Sequence, residues 1–223
     1  HICLNKNNFM KLLEILTEEN RLSGVIKPWD LGLVGLDSEA KPTQKIGVED
    51  YLNYLRTTWT FFSQREEENN NCQPNPREGV KNHILDPFIY HAIHSYVRNV
   101  PDPFEEAKKL LEMEEFKGKL VESVVASHLL LSQQMFEYVS SVDYTKVLLY
   151  GMHQGKEIDF ILCVNKRIQG LNQGYRFLLE SKYRNYPIRG LAPEHGKIVL
   201  TKNSLSAAEG VVYVPVHIFL LLL

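Results

Sequence analysis

The sequence predicts an α/β protein in two parts: a winged-helix domain over residues 1–82, and a mixed sheet flanked by helices over residues 83–223. Two stretches carry the prediction. Between Gly155 and Asn185, two runs rich in β-branched and aromatic residues are joined by a linker holding Asn165, Gly170, Asn172 and Gly174, the pattern of neighbouring antiparallel strands. Ahead of residue 82, three short helical patterns lead into an apolar run and a polar loop. Both a winged helix and a helical protein–protein module fit that order; in a winged helix the third helix would read DNA.

At the start of the chain, Phe9, Leu12, Leu13 and Leu16 form one helical stripe, with Asn8 as the expected N-cap. Residues 23–36 form a second, less regular segment, weakened as a helix by Gly32 and Gly35. Val48, Tyr51, Leu52 and Leu55 share the face of a stronger helix, on which Lys45 and Arg56 are the candidate phosphate contacts. Trp59, Phe61 and Phe62 begin a strand, and residues 66–81, with Glu66-Glu67-Glu68, read as a polar loop. Asp86 and Pro87 form an N-cap and first helical position. His91 and His94 on that helix have a spacing compatible with a metal, but with no further ligand nearby in sequence, packed or surface histidines are the plainer reading. Residues 103–116 read as a polar amphipathic helix ended by Gly118. Further strands are expected at 144–150, 198–201 and 211–214, with a short crossover helix capped by Ser204 and a short closing helix at the end.

Acidic residues stand where apolar ones are expected. Side chains alternate along a strand, so Asp159 points with Ile161, and Glu180 points with Leu178 and Lys182. On the preceding helix, Glu122 shares a stripe with Val125, Ala126 and Leu129. Taken singly, each acid reads as a solvated edge residue. Taken together, in the order helix, strand, strand, they read as a shared site, because a buried carboxylate is costly unless paired or bound to a cation. Gly151-Met-His-Gln-Gly-Lys-Glu is no phosphate-binding loop: it has three residues between the glycines, and Glu where Ser or Thr would hold magnesium.

Composition sets limits. The net charge of −2 exerts no overall pull toward nucleic acid, but residues 142–223 carry ten Lys/Arg against six Asp/Glu, a local +4. Residues 101–141 carry four against eight, a local −4. Three cysteines without a CxxC spacing argue for a reducing, cytoplasmic setting and against a disulfide framework or structural zinc. The apolar end, 211–223, is too short to span a membrane. The chain begins at His1, as a fragment or an expression scar would.

The set Glu122, Gly155-Lys-Glu-Ile-Asp159-Phe and Glu180-Ser-Lys182 resembles the signature of the PD-(D/E)XK nuclease superfamily. With Leu85-Asp-Pro-Phe-Ile, Ile198-Val-Leu-Thr-Lys-Asn and Val214-Pro-Val-His-Ile-Phe-Leu, it is similar to the C-terminal region of archaeal and other prokaryotic AAA-type ATPases, in which a winged helix and a nuclease-like domain follow the ATPase domain. The resemblance implies a restriction-endonuclease-like fold and metal-assisted phosphodiester hydrolysis. Its catalytic residues would be Glu122, Asp159, Glu180 and Lys182, with the three acids on Mg²⁺ or Mn²⁺. The implied partners are DNA, contacted by Lys45, Arg56 and Arg184, and the ATPase domain of a longer protein; a homo-oligomer is a further expectation. Two other readings stay open. One is a catalytically silent nuclease-like domain that binds DNA or protein for the ATPase. The other is an interaction module whose acids sit in structural ion pairs.

Overall fold

A computed structural model describes residues 6–17, 25–26, 52, 54–56, 58, 60–68, 72–75, 80–132, 148–153, 156–164, 175–184, 197–208 and 210–223. The protein is mixed α/β, with helices and a sheet of both parallel and antiparallel strands. It divides into two compact units. Unit 1 is His1–Ser63 with Gly79–Ser123, and unit 2 is Gln64–Glu78 with Val124–Leu223. This is not the division at residue 82 expected from the sequence. The reason is that Phe61–Glu68 forms a strand, and its second half pairs with a strand some 80 residues further along the chain.

In unit 1, helix α1 (Lys6–Leu16) buries Leu12, Leu13 and Leu16. It begins at Lys6, so Asn8 lies inside it and is not its cap. Thr17 ends it by donating to the Leu13 carbonyl at 2.8 Å. Strand β1 (Val25–Ile26), in a stretch read as irregular helix, pairs antiparallel with β4 (Val80–Ile84). Of the expected DNA-reading helix, Leu52 and residues 54–56 are helical; Lys45, Val48, Tyr51 and Trp59 lie outside the described residues. Strand β2 (Phe61–Glu68) starts here.

Helix α2 (Pro87–Val97) carries the cap read from its sequence: Asp86 Oδ1 accepts from the Phe88 amide at 2.7 Å. Its Tyr90 is fully buried, reaches the Thr17 carbonyl at 3.1 Å and packs against Phe116. His94 is stacked on Tyr90, and His91 touches Tyr90 and Phe116, so both histidines are packing residues. Helix α3 (Pro103–Glu112), capped by Asp102, stops at Met113, whose ψ of 111° is extended. Helix α4 (Glu114–Leu131) follows and runs through Gly118. The expected stop at Gly118 therefore falls inside a helix, where the glycine has nothing within 4 Å of a notional Cβ.

Unit 2 orders its strands β2, β5 (Leu148–His153), β6 (Lys156–Val164), β7 (Tyr175–Ser181), β8 (Lys197–Thr201), β10 (Val211–Pro215) and β9 (Ser206–Ala208). β5, β6 and β7 form the expected antiparallel meander, while β2–β5, β7–β8 and β8–β10 are parallel. Three sequence expectations change here. Residues 66–68 are strand, and Gln73–Pro74 (β3) pair back antiparallel on Glu67 and Glu68. β5 runs on through Gly151 to His153, past the expected end at residue 150. Residues 206–208 form an edge strand antiparallel to β10, not a crossover helix. The expected closing helix is α5 (Val216–Leu222), and it packs on β10 and β8. Among the described residues, no helix is long and apolar enough to cross a membrane.

Burial in unit 1 lowers the His94 pKa to about 4, with Arg98 and His91 adding to the shift and Glu106 opposing it. His83 and His91 are also lowered by burial. A lowered pKa means the unfolded chain binds the proton more tightly, so the His94 contribution is complete above pH 6.5 and lost as pH falls toward 4. The difference corresponds to about 3 kcal/mol. Urea titrations across that window should show His94→Phe losing about one proton less of acid sensitivity than the wild type.

Candidate functional site

The site is set by strand register in unit 2. β6 and β7 pair Phe160 with Leu179 and Ile161 with Leu178, so one further step places Asp159 opposite Glu180. β7 and β8 run parallel with Leu178 beside Lys197 and Glu180 beside Val199, so Lys197 and Glu180 lie on one face, two positions apart.

Each charged group is held. Asp159 Oδ2 accepts from the Ser181 amide at 2.8 Å, and the Asp159 carbonyl accepts from Gln64 Nε2 at 2.9 Å. The same Gln64 nitrogen reaches the Leu149 carbonyl at 2.7 Å, beside the register shift between Leu149 and Gly151. Gln64 is fully buried and supplies a donor where the β5 ladder is irregular. Glu180 Oε1 is 2.8 Å from Lys197 Nζ, and both side chains are buried. Lys182 Nζ is 3.7 Å from Asp159 Oδ2 and 3.9 Å from Glu180 Oε2. At 37% exposure its side chain is the accessible member of the four. Two carboxylates and two ammonium groups sum to no formal charge.

The structure thus brings Asp159, Glu180 and Lys182 together and adds Lys197. Glu122 belongs to unit 1, where its Oε1 lies 2.6 Å from the buried Lys81 ammonium. Among the described residues, no three His, Cys, Asp or Glu side chains are grouped so as to hold a metal ion. That differs from the expected three-carboxylate ligand set, and the physical reason lies in the lysines. A buried carboxylate needs a cationic partner, and Lys81, Lys197 and Lys182 supply one to each of Glu122, Glu180 and Asp159.

Of the nucleic-acid candidates, Lys45 lies outside the described residues. Arg56 donates to Ser63 Oγ at 3.0 and 2.8 Å, and that hydroxyl donates to Asn82 Oδ1 at 2.6 Å, so Arg56 ties its helix to β2 and β4. Arg184 is exposed, two residues beyond Lys182.

A second charged pair escaped the sequence reading. Glu67, from the acidic run taken for a loop, is buried on β2, and Arg176 of β7 grips it through Nε (3.0 and 2.9 Å) and Nη2 (2.6 Å). The Cys72 amide donates to Glu67 Oε1 at 3.0 Å from a residue with φ of 60°. Cys72 is disulfide-bonded, which corrects the expectation that the cysteines are unpaired and removes them as support for a reducing compartment. Sequence gave little warning of these partners. Lys197 stands at a strand start, where lysine usually reads as solvated, and Glu67 stands in a run of three acids.

Compared with protein-family models, curated proteins and solved structures, the chain has no match.

Truncating Gln64 to Leu removes the donor for two buried carbonyls and should cost about 1–3 kcal/mol in urea denaturation. Arg176→Ala leaves Glu67 buried without its guanidinium and should cost about 3 kcal/mol. Arg176→Ala combined with Glu67→Gln should recover part of that loss, which a double-mutant cycle would read directly.

Proposed function

We propose that unit 2 is a nuclease-like domain whose Asp159, Glu180 and Lys182 act on a phosphodiester of DNA. The observation that carries this reading is one accessible ammonium, Lys182 Nζ, 3.7 and 3.9 Å from two buried carboxylates facing each other on adjacent strands. Three features support it: the order of those residues, their resemblance to a nuclease signature, and the local +4 of residues 142–223.

The donor set suits a hard divalent ion in kind. Asp159 and Glu180 offer only oxygen, and Mg²⁺ or Mn²⁺ is commonly held by one or two carboxylates with water and substrate phosphate completing the shell. Asp159 and Glu180 would hold such an ion; Glu122, paired with Lys81, is not needed for that count. The chemistry a bound divalent ion supplies is Lewis-acid activation of the phosphodiester and of water. The chain's own residues do the rest. The Ser181 amide and Gln64 fix Asp159, and the Lys182 ammonium is placed to offset charge that develops on the phosphate. Arg184 would track a neighbouring phosphate, and Lys45 and Arg56 would be the phosphate contacts of unit 1. By the same resemblance, the ATPase domain of a longer protein would present the DNA.

A second reading is favoured by one observation: Lys197 and Lys182 already neutralise both carboxylates. In that reading the domain is catalytically silent and binds DNA or protein for the ATPase.

Cleavage assays with duplex, single-stranded and branched DNA in Mg²⁺ or Mn²⁺ separate the two. The nuclease reading expects cleavage that Asp159→Asn and Lys182→Ala abolish without loss of fold, and a melting temperature that rises with Mn²⁺. No cleavage of any DNA form, with or without the ATPase domain, and no thermal shift would leave the silent reading. Arg184→Ala should weaken DNA binding evenly across sequences and flatten the salt dependence by about one unit.

A further inference from the structure

Lys197 has no place in the motif that Asp159, Glu180 and Lys182 resemble, yet it makes the closest ionic contact in the cluster. Its Nζ is 2.8 Å from Glu180 Oε1, against 3.9 Å from Lys182 Nζ to Glu180 Oε2. The Lys197 side chain is 4% exposed and that of Glu180 2%, while Lys182 is at 37%. A lysine withdrawn this far from water is held there by its partner, since either charge alone would be costly. Parallel pairing of β8 with β7 delivers it to the Glu180 side of the face.

The consequence concerns the carboxylate that the proposed function assigns to a divalent ion. Glu180 Oε1 cannot serve an ammonium and a metal ion at full strength together, because the two cations repel at such range. We propose that Lys197 is an internal counter-cation of this site: its ammonium holds Glu180 ready and must be displaced before a divalent ion can take that carboxylate. Lys197 is thereby a positioning residue that sets the threshold for ion binding. The ion binds weakly alone, and better when a phosphodiester adds negative charge on which the displaced ammonium can settle. This inference rests on the reading of Asp159 and Glu180 as ion ligands.

The test is a Mn²⁺ titration of the full chain by calorimetry, comparing wild type, Lys197→Met and Lys197→Arg. Lys197→Met should bind Mn²⁺ about tenfold more tightly or better, in the range of ordinary coupling between two sites. Lys197→Arg keeps the charge and should bind as weakly as wild type. If wild type binds Mn²⁺ and Lys197→Met binds no more tightly, the inference is overturned while the ion site stands. If neither binds, the ion site and the inference fall together. Should Lys197→Met not fold, Mg²⁺ titration of the wild type is followed through the Lys197 side-chain NMR signal, assigned with Lys197→Arg. A saturable shift that tracks ion binding supports displacement, and a signal that stays still while the ion binds overturns it.

Discussion

Two carboxylates buried face to face on β6 and β7 set the terms for the rest of unit 2. A buried carboxylate without partners is costly, and the strands on both sides contribute to holding these two. β8 brings Lys197, the residue after β7 brings Lys182, the end of β7 brings the Ser181 amide, and β2 brings Gln64. Ion pairs of this kind seldom add net stability over a well-packed apolar core. What they add is register: a one-residue slip of β7 would turn Glu180 to the opposite face and strand Lys197.

The two units answer the problem of buried polarity in different ways. Much of the described part of unit 1 uses neutral groups, the Tyr90 hydroxyl on the Thr17 carbonyl and histidines whose pKa burial lowers, while the Arg98 guanidinium donates to the Thr17 hydroxyl. Lys81, buried in unit 1, is matched to Glu122. Unit 2 pairs opposite charges from different strands and strand ends, as in Asp159–Lys182, Glu180–Lys197 and Glu67–Arg176.

What could be read in the sequence was what depends on near neighbours. Alternation along the strands located Asp159 and Glu180 on their inward faces, and Asp86 with Pro87 located the start of α2, because both signals span only a few residues. What could not be read depends on pairing across the fold. Lys197 meets Glu180 only through a parallel register, and Arg176 meets Glu67 only because β2 joins the sheet. The acidic run 66–68 looked like a loop because each glutamate disfavours a buried strand when its partner is unknown. The helix break at Met113 and the uninterrupted helix through Gly118 run against local propensity, which tertiary packing overrides. The division into units was missed for the same reason as Gln64: a strand from the first third of the chain completes the second unit.

That crossing has a consequence for how the chain acquires its structure. The bond from Gln64 to the Leu149 carbonyl spans 85 residues, and the one to the Asp159 carbonyl spans 95. At cellular synthesis rates, the interval between the emergence of these partners is on the order of ten seconds. Until then the second half of β2 lacks its β5 partner, and an unpaired strand edge is a template for joining a copy of itself. Glu66, Glu67 and Glu68 give that waiting edge three like charges, which repel a second such strand. The same Glu67 is later neutralised by Arg176, which arrives with β7, so the residue that keeps the early chain apart also locks the finished sheet.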